Sequence, residues 1–98
     1  MRTFTIDFFQ GVSFDDFVAA FNKGFCEPVL HDWEDRSESR FWSGGSWDAF
    51  HDYLSWPKEN EFTLVFHGWN NSKALTSDDQ KMILSILNDS THVQPIFD

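Results

Sequence analysis

Apolar and polar residues alternate with a period of two over residues 3–8, where Phe4, Ile6 and Phe8 are separated by Thr3, Thr5 and Asp7. That period predicts a half-buried strand, and Gln10-Gly11 ends it. The spacing then lengthens to that of a helix face, with Phe14, Phe17, Val18 and Phe21 at i, i+3, i+4 and i+7. Ser13 is placed as its N-cap, Asp15 and Asp16 sit in the first turn where the helix dipole favours acids, and Gly24 is its expected stop. Over residues 25–40 no period holds. Pro28 and the run His31-Asp32-Trp33-Glu34-Asp35-Arg36-Ser37-Glu38 read as an exposed connection with room for a short helical turn. A second helix is predicted over residues 46–56, led in by Gly44-Gly45, capped by Ser46 and closed before Pro57. The continuous apolar run of residues 62–66 suits a central strand buried on both faces. Ser77-Asp78-Asp79-Gln80 has the spacing of a capping box, and Met82, Ile83, Ile86 and Leu87 form the stripe of a third long helix ending near Asp89. Residues 93–97 read as a last strand, which Pro95 assigns to an edge because proline cannot donate to a ladder.

Neither a repeat, a low-complexity tract nor a linker-like stretch interrupts this order, so residues 1–98 are expected to form one domain. Strand, helix, helix, strand, helix, strand predicts an α/β fold in two or three layers. Right-handed crossovers then give a three-stranded parallel sheet in the order 1-2-3, packed with three to four helices.

Composition narrows the class. The chain is long enough for one core of ordinary stability without a staple. Cys26 is the only cysteine, which excludes an intramolecular disulfide and a cysteine-rich zinc site and fits a reducing compartment. No apolar run approaches the ~18 residues of a membrane span, and residues 1–10 alternate instead of forming a signal-peptide core, so a cytoplasmic protein is expected. Sixteen acids against seven bases give a net charge of -9, which opposes nucleic acid or a membrane surface as a ligand and makes a basic protein the natural partner. Twelve Phe and five Trp exceed what so small a core usually needs. Either some of them face a partner, or the core is rich in Phe beneath an acidic surface.

The helix over residues 46–56 separates into two faces. Trp47, Phe50 and Leu54 point inward with Ala49 and Tyr53 beside them, while Asp48, His51, Asp52 and Ser55 lie opposite. Two like charges at i, i+4 cost an isolated helix roughly 0.2–0.5 kcal/mol. Only Asp48 is close enough to the N-terminus for the dipole to offset its share. On the residue pattern alone simple solvation explains such a face better than a binding role does, since most charged helix faces are solvated.

Ser43-Gly44-Gly45-Ser46-Trp47-Asp48-Ala49-Phe50-His51-Asp52-Tyr53-Leu54 resembles the motif of the barstar family of ribonuclease inhibitors. In that motif an aromatic and a glycine lead into a helix reading Asn, Leu or Trp, Asp, Ala, Leu, any residue, Asp, Cys, Leu. The resemblance extends to Trp56 with the strand after it, to Asn71-Ser72-Lys73-Ala74-Leu75-Thr76 ahead of the last helix, and to the opening strand and helix. It implies a barstar-like fold and a protein that is not an enzyme and carries no catalytic residue, cofactor or metal. Such a protein would be a monomer when free and would bind a basic microbial ribonuclease or ribonuclease toxin domain one to one, as an antitoxin or immunity protein. Carried over position by position, Asp48 and Asp52 become the main acidic contacts, with Asp52 entering deepest into the enzyme's phosphate site. His51 stands between them where the family has an aromatic. Trp42 falls at an interface tyrosine and Asp89 at an interface glutamate. Trp42 and Trp33 would cover the rim, and Ser55 completes the helix face. Ser43 replaces a tyrosine, Ser46 an asparagine and His51 the aromatic, so the partner need not be the ribonuclease the family is named for, while Tyr53 at the motif's cysteine position is a packing change.

Other chemistries have less support in the residues. His51, His67, His92 and Cys26 show no catalytic spacing. His67 follows the central strand at the edge where open α/β sheets bind ligands, yet a hydrogen-bonded loop histidine fits it better. His31, Asp32, Glu34 and Asp35 have neither EF-hand nor paired-histidine spacing. A barstar-like adaptor that binds a different basic protein without inhibiting a nuclease is the remaining alternative.

Overall fold

Three parallel strands form a sheet in the order β1-β2-β3. They are β1 (Arg2–Asp7), β2 (Phe62–His67) and β3 (Val93–Phe97). The computed structural model describes residues 2–31, 42–55, 61–70 and 73–98, with the backbone alone at positions 30 and 31. The register sets Phe4 beside Leu64, Ile6 beside Phe66 and Phe62 beside Val93, so alternate apolar positions of β1 and β2, with Val93 of β3, stack on one buried face. β2 is central and β3 an edge, and Pro95 lies opposite Leu64 on that edge.

The other face corrects an expectation. Residues 62–66 read as buried on both sides, but Thr63, Val65 and His67 are only half-buried, and Thr3 and Thr5 of β1 are exposed. The core lies on one side of the sheet, and the described fold has two layers. A β-branched run satisfies strand propensity whether or not both faces are covered.

Helix α1 (Phe14–Phe21) buries Phe17, Val18 and Phe21. Asp16 at its start accepts from the backbone N–H groups of Val12 at 2.8 Å and Ser13 at 3.1 Å, and these bonds hold its carboxyl below the usual carboxylate value. The helix does not stop at Gly24. It passes through a π-helical turn (Asn22–Cys26) into α2 (Glu27–His31), so residues 25–31 of the expected connection are helical and bury Phe25, Cys26 and Val29, and the rest of it lies outside the described residues. Gly24 permits a close approach of backbone to backbone, because a Cβ there would lie 1.9 Å from the Thr5 carbonyl oxygen. Pro28 is the second residue of α2, just after the widened turn, so it lies within the continuous helical run rather than in an exposed connection. An unobstructed Gly→Ala change in a helix gains up to about 1 kcal/mol. Gly24→Ala is instead expected to cost about 1–3 kcal/mol, as overpacking does, read as a lower denaturation midpoint.

Helix α3 is Trp47–Tyr53 and helix α4 is Ser77–Asp89. The capping box of α4 sits one residue earlier than expected. Thr76 Oγ1 accepts from the Asp79 amide at 3.1 Å, and the Asp79 carboxylate accepts from the Thr76 amide at 3.0 Å. Ile83, Ile86 and Leu87 are buried as expected, whereas Met82 is exposed beside the stripe rather than in it.

Much of the aromatic surplus goes into the core. Eight phenylalanines, Phe4, Phe8, Phe17, Phe21, Phe25, Phe50, Phe62 and Phe66, are buried there. Many meet edge to face, for example Phe4 on Phe25 at 5.0 Å and Phe8 on Phe17 at 5.0 Å. Among the described residues no helix is long and apolar enough to cross a membrane. Cys26 is buried in this core, and burial pushes its thiol up from 9.0 to about 12. That shift cuts the reactive thiolate about a thousandfold. A thiol-specific disulfide reagent at pH 8 should leave the native chain unlabelled and react once it is unfolded in urea.

Candidate partner-binding surface

The surface is built on α3, whose start is fixed by the loop before it. Gly44 adopts φ +84°, and a Cβ there would meet Val18 Cγ2 at 2.7 Å, so the chain crosses α1 closely at this point. Ser46 is extended and begins the helix, but its side chain makes no capping bond. Its carbonyl accepts instead from the Phe50 amide at 3.4 Å and from Trp42 Nε1 at 2.9 Å. Trp42 is gripped in turn by Asn22, which accepts from the Trp42 amide at 2.8 Å and donates through Nδ2 to the Trp42 carbonyl at 2.9 Å.

Trp42 therefore does not serve as the expected rim contact. It is 2% exposed, with Phe14, Phe17, Phe21, Trp47 and Phe50 around its ring at centroid distances of 5.2–6.2 Å. A large indole between facing rings gains more from burial than from a wet rim, provided its N–H finds an acceptor, and the Ser46 carbonyl is that acceptor.

The other end of α3 closes at Tyr53 rather than reaching residue 56. Ser55 donates to the Asp52 carbonyl twice, from its amide at 3.0 Å and from Oγ at 2.6 Å, and so acts as a terminal cap. The Leu54 carbonyl accepts from His92 Nε2 at 2.9 Å. His92 lies in the turn between α4 and β3, so this bond joins the residue after α3 to the turn that follows α4.

Between these anchors the two faces separate as the periodicity predicts. Phe50 and Leu54 are buried, and Trp47, Ala49 and Tyr53 pack on the core. Asp48, His51, Asp52 and Ser55 are exposed, as is Asp89 at the end of α4. Among the described residues no cation pairs with the carboxylates of Asp48, Asp52 or Asp89. Trp33 and Trp56 lie outside the described residues.

The model of a family described as Barstar (barnase inhibitor) matches residues 1–94. The chain belongs to the barstar family. Neither a curated protein nor a solved structure gives a significant match. Barstar-family members are inhibitors rather than enzymes. The three histidines of this barstar-family chain whose side chains are described stand in three separate settings. His51 is on the α3 face, His92 bonds the end of α3, and His67 Nδ1 lies 3.0 Å from Asp98 Oδ2 with its ring stacked on Phe9 at 5.2 Å. A groove of about 520 Å³ at the C-terminal ends of β1 and β2 includes His67, Asp7 and Lys23, but none of the α3 residues. Among the described residues no three His, Cys, Asp or Glu side chains are placed to hold a metal ion, and Asp32, Glu34 and Asp35 lie outside them.

What the sequence reading missed in this barstar-family chain is the support beneath the acidic face. Asn22 holds Trp42 across 20 residues, and His92 holds Leu54 across 38. Local periodicity carries no signal for either pair. The one available hint was an asparagine and a histidine standing next to apolar positions that they do not extend.

Proposed function

We propose that this barstar-family protein inhibits a basic microbial ribonuclease by occupying its phosphate-binding cleft with the acidic face of α3. The observation that carries this reading is the pairing of two conditions on one short helix. Its Asp48 and Asp52 carboxylates are exposed without a cation among the described residues, while its opposite face is locked into an aromatic core. Carboxylates held rigidly can form with Arg, Lys and His the charge-assisted bonds that a phosphate would make. No bond is made or broken in such a mechanism. Asp52 enters deepest, Asp48 and Asp89 pair with flanking bases, and His51 and Ser55 fill the face between them. Trp42 acts from below by fixing the start of α3, and a rim role for Trp33 belongs to a residue outside the described ones. The net charge of -9 speeds encounter with a basic enzyme and loses that effect as salt rises. An inhibitor of this kind serves as an antitoxin or immunity protein in the cytoplasm of a cell that makes or receives the enzyme, in a one-to-one complex.

The test is titration of the purified protein into activity assays of barnase and several small microbial ribonuclease toxins, at low and raised salt. Stoichiometric inhibition by one of them is the expected result. Binding without inhibition would replace the reading with that of a barstar-fold adaptor.

A further inference from the structure

We infer that His92 is a positioning residue, which sets the geometry of the α3 acids against Asp89 without touching the partner itself. The inference rests on reading Asp52 and Asp89 as contacts to one basic surface. Helix α3 has seven residues, far below the length at which a helix stands alone in water, so its orientation is imposed from outside. Its N-terminal end is held by Trp42 Nε1 on the Ser46 carbonyl. Its C-terminal end leaves carbonyls without helical partners, and the Leu54 carbonyl is one of them. His92 satisfies it at 2.9 Å. A carbonyl only accepts, so the hydrogen is on His92 Nε2 and the ring is oriented by the bond.

His92 is itself held in place. Its ring meets the Phe62 ring edge-on at 5.5 Å, and its carbonyl accepts from the Phe62 amide at 3.1 Å. One residue thus keys together the start of β2, the turn after α4 and the end of α3. Asp52 stands just before Leu54 on one side of this junction, and Asp89 just before His92 on the other. Removing the bond leaves every carboxylate in place, so the long-range field and the encounter rate stay as they are. What changes is the preorganisation of the acids, which appears in dissociation.

The substitutions are His92→Leu, which removes the donor, and His92→Gln, which restores an amide donor of similar reach. Spin labels at His51→Cys and Asn88→Cys, with Cys26 buried, report the α3 to α4 distance in the free protein. A narrow distribution is expected for native His92 and for His92→Gln, and a broadened one for His92→Leu. With barnase as the probe, His92→Leu should dissociate about tenfold faster with an association rate within about twofold of native, and His92→Gln should restore the native rate. On the unsubstituted chain at pH 8, ¹⁵N spectra should place the imidazole hydrogen on Nε2, which tests the bond even where His92→Leu does not fold.

A hydrogen on Nδ1 alone, or a lower melting temperature in His92→Leu with an unchanged distribution, overturns the inference. A broadened distribution upholds the positioning role even if barnase binds none of the proteins, an outcome that counts only against barnase as target. If Asp52→Ala abolishes barnase binding while His92→Leu leaves distribution and dissociation unchanged, the proposed function stands and the role of His92 does not.

Discussion

Trp42→Ala is expected to lower the stability of the fold by about 3–5 kcal/mol, the scale at which large aromatics are lost from well-packed cores. The indole is the meeting point of Phe14, Phe17 and Phe21 from α1 with Trp47 and Phe50 from α3, so its removal opens a cavity between the two helices. It also deprives the Ser46 carbonyl of its Nε1 donor, although that carbonyl keeps the Phe50 amide. Trp42→Phe separates the two effects. It keeps most of the ring contact and removes the indole N–H, for which about 1 kcal/mol is expected in addition to the lost volume. Urea denaturation with an unchanged slope is the measurement, made in a stabilising osmolyte if Trp42→Ala is largely unfolded in buffer. A loss within about 0.5 kcal/mol for Trp42→Ala would place the side chain on the surface, as the resemblance to an interface tyrosine implied, and would overturn its buried position.

How much of this was legible in the residues depends on how far apart the interacting partners lie in sequence. The strands and the two faces of α3 follow from local apolar patterning, the strand order follows from right-handed crossovers, and the structure keeps them. Gly24 was read as a stop because a glycine near the end of an apolar stripe is usually one. Its actual role, letting a helix touch the Thr5 carbonyl, depends on a strand nineteen positions earlier. Pro28 was misplaced for the same reason, since nothing local announces a π-helical turn. At the start of α4 the box was read as Ser77 with Gln80, whereas Thr76 with Asp79 stands one residue earlier at the same spacing. The structure takes the earlier one, whose N3 residue is a carboxylate that the helix dipole also favours. Trp42 was read by alignment to a surface aromatic, and its burial depends on rings contributed by two other segments, α1 and α3. The acidic spacing of Asp48 and Asp52 was legible at once, while the Asn22 and His92 supports became visible only in the folded chain.

Asp52→Ala is expected to weaken binding to the inhibited ribonuclease by at least ~2 kcal/mol, the usual threshold of a hot spot and about thirtyfold in dissociation constant. The truncation removes the carboxylate assigned to the phosphate site and leaves the enzyme's cations desolvated without a counter-charge, a loss that falls mainly on dissociation. Stability should move the other way. The described bonds from Ser55 reach the Asp52 backbone carbonyl, which alanine retains, and no described cation pairs with the carboxylate. Alanine has the higher helix propensity, and the change relieves the i, i+4 repulsion from Asp48, so a gain of roughly 0.2–0.5 kcal/mol is expected. These opposite signs separate a binding role from a structural one. If Asp52 were only a solvated position, affinity would shift by less than about 0.5 kcal/mol, and if it supported α3, affinity and stability would fall together. Calorimetric titration of native protein and Asp52→Ala against the responding enzyme, with urea unfolding of both proteins free in solution, reads the two signs. A tight complex retained by Asp52→Ala would move the anchor from the centre of α3 to Asp48 or Asp89.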